Sequence, residues 1–193
     1  MKELSSICVF CGSSSGHNPL YGEMAEAMGT RIAKQNLTLV YGGGSVGLMG
    51  ILAKAAEANG ASVLSVIPES LLPKELVGES TGELIVCETM LERKAIMAQK
   101  SDAFIAMPGG YGTLDEIFEM VTWTQLGVHS KPMGLLNVAG FFDPLLQTLD
   151  HMVTEGFIKP THRQLIVHDP DPAALLKKID IQSLPKSVLQ WSN

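Results

Sequence analysis

Cysteine is scarce and odd in number: Cys8, Cys11 and Cys87 are the three among 193 residues. So low a density excludes a disulfide-stapled scaffold. Cys8 and Cys11 have the C-x-x-C spacing of a metal or redox pair, but they sit in the apolar stretch SSICVFCG, which reads as a strand. No second pair completes a zinc site, so a structural role is expected for them. Long hydrophobic runs are also missing. None approaches the roughly 18 residues of a membrane span, and the apolar stretch near the N-terminus is too short for a secretory signal. A cytoplasmic location without a membrane partner is therefore expected. Positive charge is in deficit: 14 Lys and Arg against 20 Asp and Glu leave a formal charge of −6. That balance, with a pI near 5.3, argues against broad nucleic-acid or anionic membrane surfaces. Any anion has to be bound locally. The five histidines, His17, His129, His151, His162 and His168, show no ligand spacing, so no metal is expected. The G-x-x-x-x-G-K-[ST] phosphate loop is missing too, which counts against triphosphate hydrolysis.

What is present is an apolar, evenly patterned chain. Hydrophobic residues make up 46% and charged residues 18%, and a chain of this length buries about 70% of its unfolded surface. With no linker, repeat or low-complexity segment, residues 1–193 are expected to form a single domain. Apolar runs at 6–12, 37–43, 61–68, 82–88, 102–110, 131–138 and 163–169 read as strands. Amphipathic stretches at 19–35, 46–60, 89–101, 112–127, 141–156 and 171–180 read as helices. This alternation predicts an α/β fold: a doubly wound, Rossmann-like domain with a mostly parallel sheet flanked by helices.

Ligands of such sheets bind beyond the carboxyl ends of the strands. Three glycine loops follow proposed strands there: Gly12 to Gly16, Gly42 to Gly47, and Gly109 to Gly112. Each could be turn punctuation, but three together point to close approach of backbone to a ligand. Gly42 to Gly47 matches G-x-G-x-x-G, and Glu69 follows the next strand at about the spacing of a ribose-binding acid. The motif follows the second strand rather than the first, however, and three consecutive glycines satisfy it easily.

The stretch PGGYGTLDE, residues 108–116, raises a question of charge. A glycine loop opening a helix is suited to an anion, yet Asp115 and Glu116 would repel one. Thr113 and Glu116 have capping-box spacing, and helix-start acids gain from the dipole, so local rules alone can explain both acids. The preceding helix breaks such rules. Thr89 and Glu92 form a second capping box, which leaves Arg93 and Lys94 near a helix N-terminus, where cations oppose the dipole. Successive strands are usually neighbours, so the two helix starts are expected to face each other across one crevice. A phosphate on the glycine loop and a carboxylate beside the sugar suit an N-ribosyl phosphate, whose cleavage develops oxocarbenium character. Met24 with Met28 and Met90 with Met97 read as core pairs. The helix segment 117–127 is apolar enough to suggest a homodimer seam.

The motifs PGGYGTLDE and GGGSVGLMG, with ERKAIM between them, resemble the LONELY GUY family of cytokinin riboside 5′-monophosphate phosphoribohydrolases, and the similarity runs over nearly the whole chain. The resemblance implies a metal-independent, usually homodimeric Rossmann-like enzyme that hydrolyses the N-glycosidic bond of N6-modified adenosine monophosphates, and in some members AMP. It places the essential arginine and glutamate on Arg93 and Glu116, and substrate contacts on Glu75, Lys94 and Thr122. The phosphate loop falls on Gly110, Tyr111, Gly112 and Thr113, and the glycine loops add Gly12, Ser13, Gly43, Gly44, Met49 and Gly109 to the binding set. Asp115 replaces a glutamate of close relatives, and Leu91 stands where plant members often carry histidine. No lysine stands out as a Schiff-base site with a partner for a pyridoxal ring, so lysine decarboxylation, a name given to such proteins, finds no support. Two rivals remain on the residues alone: an oxidoreductase holding NAD on the Gly42 loop, and a nucleotide carrier or sensor that catalyses nothing.

Overall fold

A computed structural model describes residues 4–75 and 81–185, in which strand and helix alternate along the chain. The elements are β1 (Ser6–Phe10), α1 (Leu20–Lys34), β2 (Thr38–Tyr41), α2 (Gly47–Ala58), β3 (Val63–Pro68), α3 (Leu72–Glu75), β4 (Glu83–Cys87), α4 (Met90–Gln99), β5 (Ala103–Ala106), α5 (Tyr111–Gln125), β6 (Met133–Leu136), α6 (Asp143–Thr154), α7 (Pro160–Arg163), β7 (Ile166–Asp169) and α8 (Pro172–Asp180). Every expected strand is present. The sheet is parallel throughout, in the order β4-β3-β2-β1-β5-β6-β7.

Alternation along the strands divides the core. Ile7, Val9, Leu39, Tyr41, Ala103 and Ile105 face a layer that includes α1, α2 and α8. Cys8, Phe10, Val40, Phe104 and Ala106 face the layer of α4, α5 and α6. A strand buried on both faces has no polar side to display, which is why these segments read as continuous apolar runs. At the amino end of the sheet, Asp102 Oδ2 accepts hydrogen bonds from the backbone N–H and hydroxyl of both Ser5 and Ser6, at 2.7–3.2 Å, and fastens β1 to β5.

The carboxyl ends of β1 and β5 diverge into different loops. After β1 the chain winds outward through β2 and β3 to the edge strand β4, then returns across the sheet to β5 on the other side of β1. This is the topological switch point at which open α/β sheets bind ligands. The return corrects one expectation. β4 and β5 are not neighbours, so adjacency of strands does not bring the two helix starts together; α4, packed over β3, does so by crossing between them.

Helix starts follow local chemistry in one case and depart from it in the other. At α4 the threonine cap forms: Glu92 N–H donates to Thr89 Oγ1 at 3.1 Å, and the Glu92 carboxylate reaches back one residue past the cap, where Glu88 N–H donates to its Oε2 at 2.8 Å. At α5 it does not. Gly110 is the cap residue and has no side chain to offer, so the helix begins at Tyr111 and Thr113 lies inside its first turn, buried. The capping explanation for Glu116 therefore fails. Met24, Met28 and Met97 join the core as expected, whereas Met90 is exposed at the start of α4.

Candidate active site

At the switch point the loops after β1 and β5 are in contact. Gly12 N–H donates to Pro108 O at 3.1 Å, and Leu48 N–H at the start of α2 donates to Gly12 O at 3.1 Å. A Cβ on Gly109 would collide with the Thr113 side chain and the Gly12 backbone nitrogen, so only glycine lets the two loops approach this closely. They frame a cleft of about 260 Å3. Cys11, Gly12, Ser13 and Met49 line one side of it, and Gly110, Tyr111, Gly112 and Thr113 the other. Cβ atoms built on Gly110 and Gly112 would meet nothing within 4 Å, and Tyr111 stands 95% exposed at the mouth. No side chain caps α5, so its first-turn N–H groups and the positive end of its dipole are available to an anion in the cleft.

Arg93 and Glu116 complete the lining, and both are buried, at 5% and 9% exposure. Arg93 Nε donates to Val66 O at 3.1 Å and Nη2 to Gly42 O at 2.8 Å, while Nη1 lies 3.9 Å from Glu116 Oε1. This arrangement explains a cation so near a helix N-terminus. Two backbone carbonyls, one within β3 and one just past β2, and one carboxylate supply the compensation that α4 itself lacks. A buried pair of this kind is costly to desolvate and weak as a stabiliser, which directs attention to function. Cys8 and Cys11 respond to the same carboxylate: burial first, then the charge of Glu116, pushes both thiols well above the ordinary cysteine value. They stay protonated and are poor nucleophiles at neutral pH.

Several residues expected in the site lie outside this cleft. Gly43 and Gly44 are buried and do not line it. The glycines of that loop serve packing within the chain instead: Gly47, at φ +62°, abuts the Ser13 backbone, and Gly43, at φ +78°, abuts Ile67. Of the three glycine loops, those after β1 and β5 line this cleft, whereas from the loop after β2 and the helix it opens only Met49 reaches it. Gly109 faces an adjoining cleft of about 310 Å3, walled by Tyr21, Leu48 and Phe141 and sharing Gly12, Ser13 and Gly110 with the first. Lys94 is engaged elsewhere, with Nζ 3.1 Å from Asp115 Oδ2 and 2.9 Å from Glu119 Oε2. Burial opposes its charge, but hydrogen bonding to Glu119 and Asp115 prevails and raises its pKa above the ordinary lysine value. Thr122 is exposed on the same stripe of α5 as Asp115 and Glu119, and its hydroxyl donates to Phe118 O at 2.8 Å. Glu75 ends α3, and the expected contact of its side chain lies outside the described residues. Leu91 is exposed near the start of α4 and does not line the cleft.

Sequence reasoning missed Cys11, because a thiol in an apolar strand signals only packing. It also missed the carbonyls of Gly42 and Val66, which no side-chain pattern reveals. Larger hollows of about 350 and 420 Å3 elsewhere on the surface bring together no buried ionisable side chain. Among the described residues, no cluster of His, Cys, Asp and Glu could hold a metal ion.

Comparison with known proteins adds a family to this geometry. The family model described as "Possible lysine decarboxylase" matches residues 49–179. A cytokinin riboside 5′-monophosphate phosphoribohydrolase of Arabidopsis thaliana is 50% identical over 192 residues, covering 97% of this chain and 90% of that protein. A probable enzyme of the same name from Oryza sativa subsp. japonica is 52% identical over 174 residues, covering 90% and 78%. Among solved structures, the molybdenum cofactor binding protein of Rippkaea orientalis superposes with a TM-score of 0.69 at 21% identity, covering 93% of this chain and 97% of that one. The Moco carrier protein of Chlamydomonas reinhardtii gives 0.66 at 21%, covering 92% and 98%. At that identity the likeness shows the shared Rossmann-like fold alone. From the extent and level of the sequence matches, the chain belongs to the family of cytokinin riboside 5′-monophosphate phosphoribohydrolases.

Proposed function

We propose that the chain hydrolyses the N-glycosidic bond of adenosine 5′-monophosphates, N6-modified ones included, to give the free base and ribose 5-phosphate. The names of its relatives support the reaction class. The observation that carries the reading is a buried Arg93–Glu116 pair beside the uncapped start of α5.

In this reading the N–H groups of Gly110 to Thr113 hold the 5′-phosphate, and the ribose lies toward Glu116. The bond from C1′ to the base nitrogen breaks with its electron pair leaving on the base. Glu116 stabilises the positive charge that develops on the sugar. Water adds to C1′, its proton passing to Glu116 as general base, and the departing base takes up one proton from solvent while Glu116 releases its own, which restores the carboxylate and gives the neutral free base. Arg93 touches the carboxylate rather than the phosphate in this scheme and fixes its orientation. The two acids after the glycine loop thus have separate duties: Asp115 turns to Lys94 and Glu116 to Arg93. Neither needs to face the phosphate.

The proposal extends to a cytoplasmic homodimer acting as one catalytic unit, with no nucleic acid, membrane or cofactor as partner. The exposed apolar side chains Leu84, Val86, Met90 and Leu91, on β4 and the start of α4, support a self-association surface there rather than on 117–127, where Ile117 and Met120 are in the core and Phe118, Val121 and Trp123 pack against it. No helix of the described residues is long and apolar enough to cross a membrane. Glu116→Gln tests the central role. It should lower kcat by about 100- to 10,000-fold, with KM for the monophosphate changed by no more than about threefold. Near-normal turnover in a folded variant refutes it.

A further inference from the structure

Arg93 is held by an absence as much as by its partners. Its Nη2 donates to the carbonyl of Gly42, and the space a side chain would fill at Gly42 is already taken. A Cβ built there would collide with Arg93 Nη2 and stand 3.0 Å from Arg93 Cζ, with Met49 Sδ next at 3.4 Å. Gly42 is not among the glycines with positive φ, so its backbone conformation would admit other residues. What excludes them is the guanidinium. The neighbouring Gly43 has φ +78° and needs glycine for its backbone, so adjacent glycines in one loop serve different ends.

We propose that Gly42 is a positioning residue for the reaction: its missing side chain is the seat that aims the Arg93 guanidinium at Glu116. This rests on the role assigned to that pair above. Three elements converge on the seat. Gly42 immediately follows β2, Val66 O on β3 accepts the hydrogen bond from Nε, and α4 supplies the arginine. A long side chain crossing the sheet ends would otherwise sample many rotamers; two carbonyl acceptors and a cavity of matching shape leave it one. In Gly42→Ala the new methyl can be accommodated only if the guanidinium moves, because the end of a flexible side chain yields more easily than sheet backbone. The movement costs the aim at Glu116 while the phosphate loop, on β5 and α5, stays intact.

The test is a double-mutant cycle of Gly42→Ala and Arg93→Ala, followed by turnover and thermal unfolding, with Gly22→Ala as control. A Cβ on Gly22 meets only Ile51 Cδ1, at an ordinary 3.5 Å. Gly42→Ala alone should lower kcat by about tenfold or more, with KM for the monophosphate within about threefold of the parent. In the Arg93→Ala background the same substitution should change kcat, nucleotide affinity and Tm little, within about twofold for the first two, because the space has been vacated. Equal losses of Tm and of nucleotide affinity from Gly42→Ala in both backgrounds would overturn the seat. So would a rise in KM without a fall in kcat. The unfolding arm needs no turnover: if the parent releases no base, the reaction reading fails, while non-additive Tm values still test whether Gly42 seats Arg93.

Discussion

Replacing Lys94 by methionine separates two roles that the sequence leaves joined. As a phosphate ligand, Lys94 would contribute to binding and little to stability. The structure instead ties it to α5, with a side chain 12% exposed against Asp115 at 63% and Glu119 at 24%. The Asp115 contact is largely solvated and contributes about 0.5 kcal/mol. The Glu119 contact is more shielded; removing its cation leaves a partly buried carboxylate unpaired, a smaller version of the 3–5 kcal/mol found for fully buried pairs, so about 1–2 kcal/mol is expected. The total of about 2 kcal/mol corresponds to a Tm lower by about 4–8 °C for a chain of this size. Adding Glu119→Gln removes the stranded charge and should restore about half of the loss. Thermal or urea unfolding of the single and double variants measures this, and steady-state kinetics on a nucleoside monophosphate measures binding. An unchanged Tm with KM raised more than about tenfold would refute the clamp and assign Lys94 to the phosphate.

Two further outcomes follow from the same geometry. Gly109→Ala forces a methyl against Thr113 and the Gly12 backbone. It should cost about 1–3 kcal/mol by overpacking and raise KM for the monophosphate, as unfolding and kinetics on the one variant would show. His129 packs against Phe104 and Trp123, and its Nδ1 lies 3.1 Å from Thr124 Oγ1. Burial first, then the Lys131 charge, lowers its pKa from 6.5 to about 4. The unfolded chain therefore binds the proton more readily than the folded one, and stability present above pH 6.5 is lost as pH falls toward 4. After allowance for partial exposure the loss is about 1 kcal/mol. Urea midpoints between pH 7 and 4 should fall less steeply in His129→Gln than in the parent, and parallel curves would contradict the assignment.

The central strands were legible because they are buried on both faces, so burial alone writes an apolar run; the edge strands β4 and β7 are partly exposed and were read from their apolar residues between turn signals. Arg93 was legible as an anomaly: a cation near a helix start, with no local partner, announces a distant one. How it meets Glu116 was not legible, since strand order decides it, and the long crossover from β4 to β5 leaves no mark in local pattern. Thr113 misled for the opposite reason. Its spacing to Glu116 satisfies a capping box, but Gly110 can turn the chain into the helix earlier, and sequence rules give a bare glycine cap less weight than a threonine. The packing of Gly42 against Arg93 was not legible because a glycine required by a neighbouring side chain and a glycine required by a ligand look the same in one dimension. The Lys94 pairing depends on α4 lying beside α5, which again is a matter of topology rather than spacing.

The most direct test is chromatographic detection of free base after incubation of the purified protein with N6-isopentenyladenosine 5′-monophosphate, AMP and the two corresponding unphosphorylated nucleosides. Base release from the monophosphates, none from the nucleosides, and loss of release in Glu116→Gln is the expected result. A folded protein that binds the monophosphates and releases no base from any of them would contradict the proposed hydrolysis and leave a nucleotide carrier on the same fold.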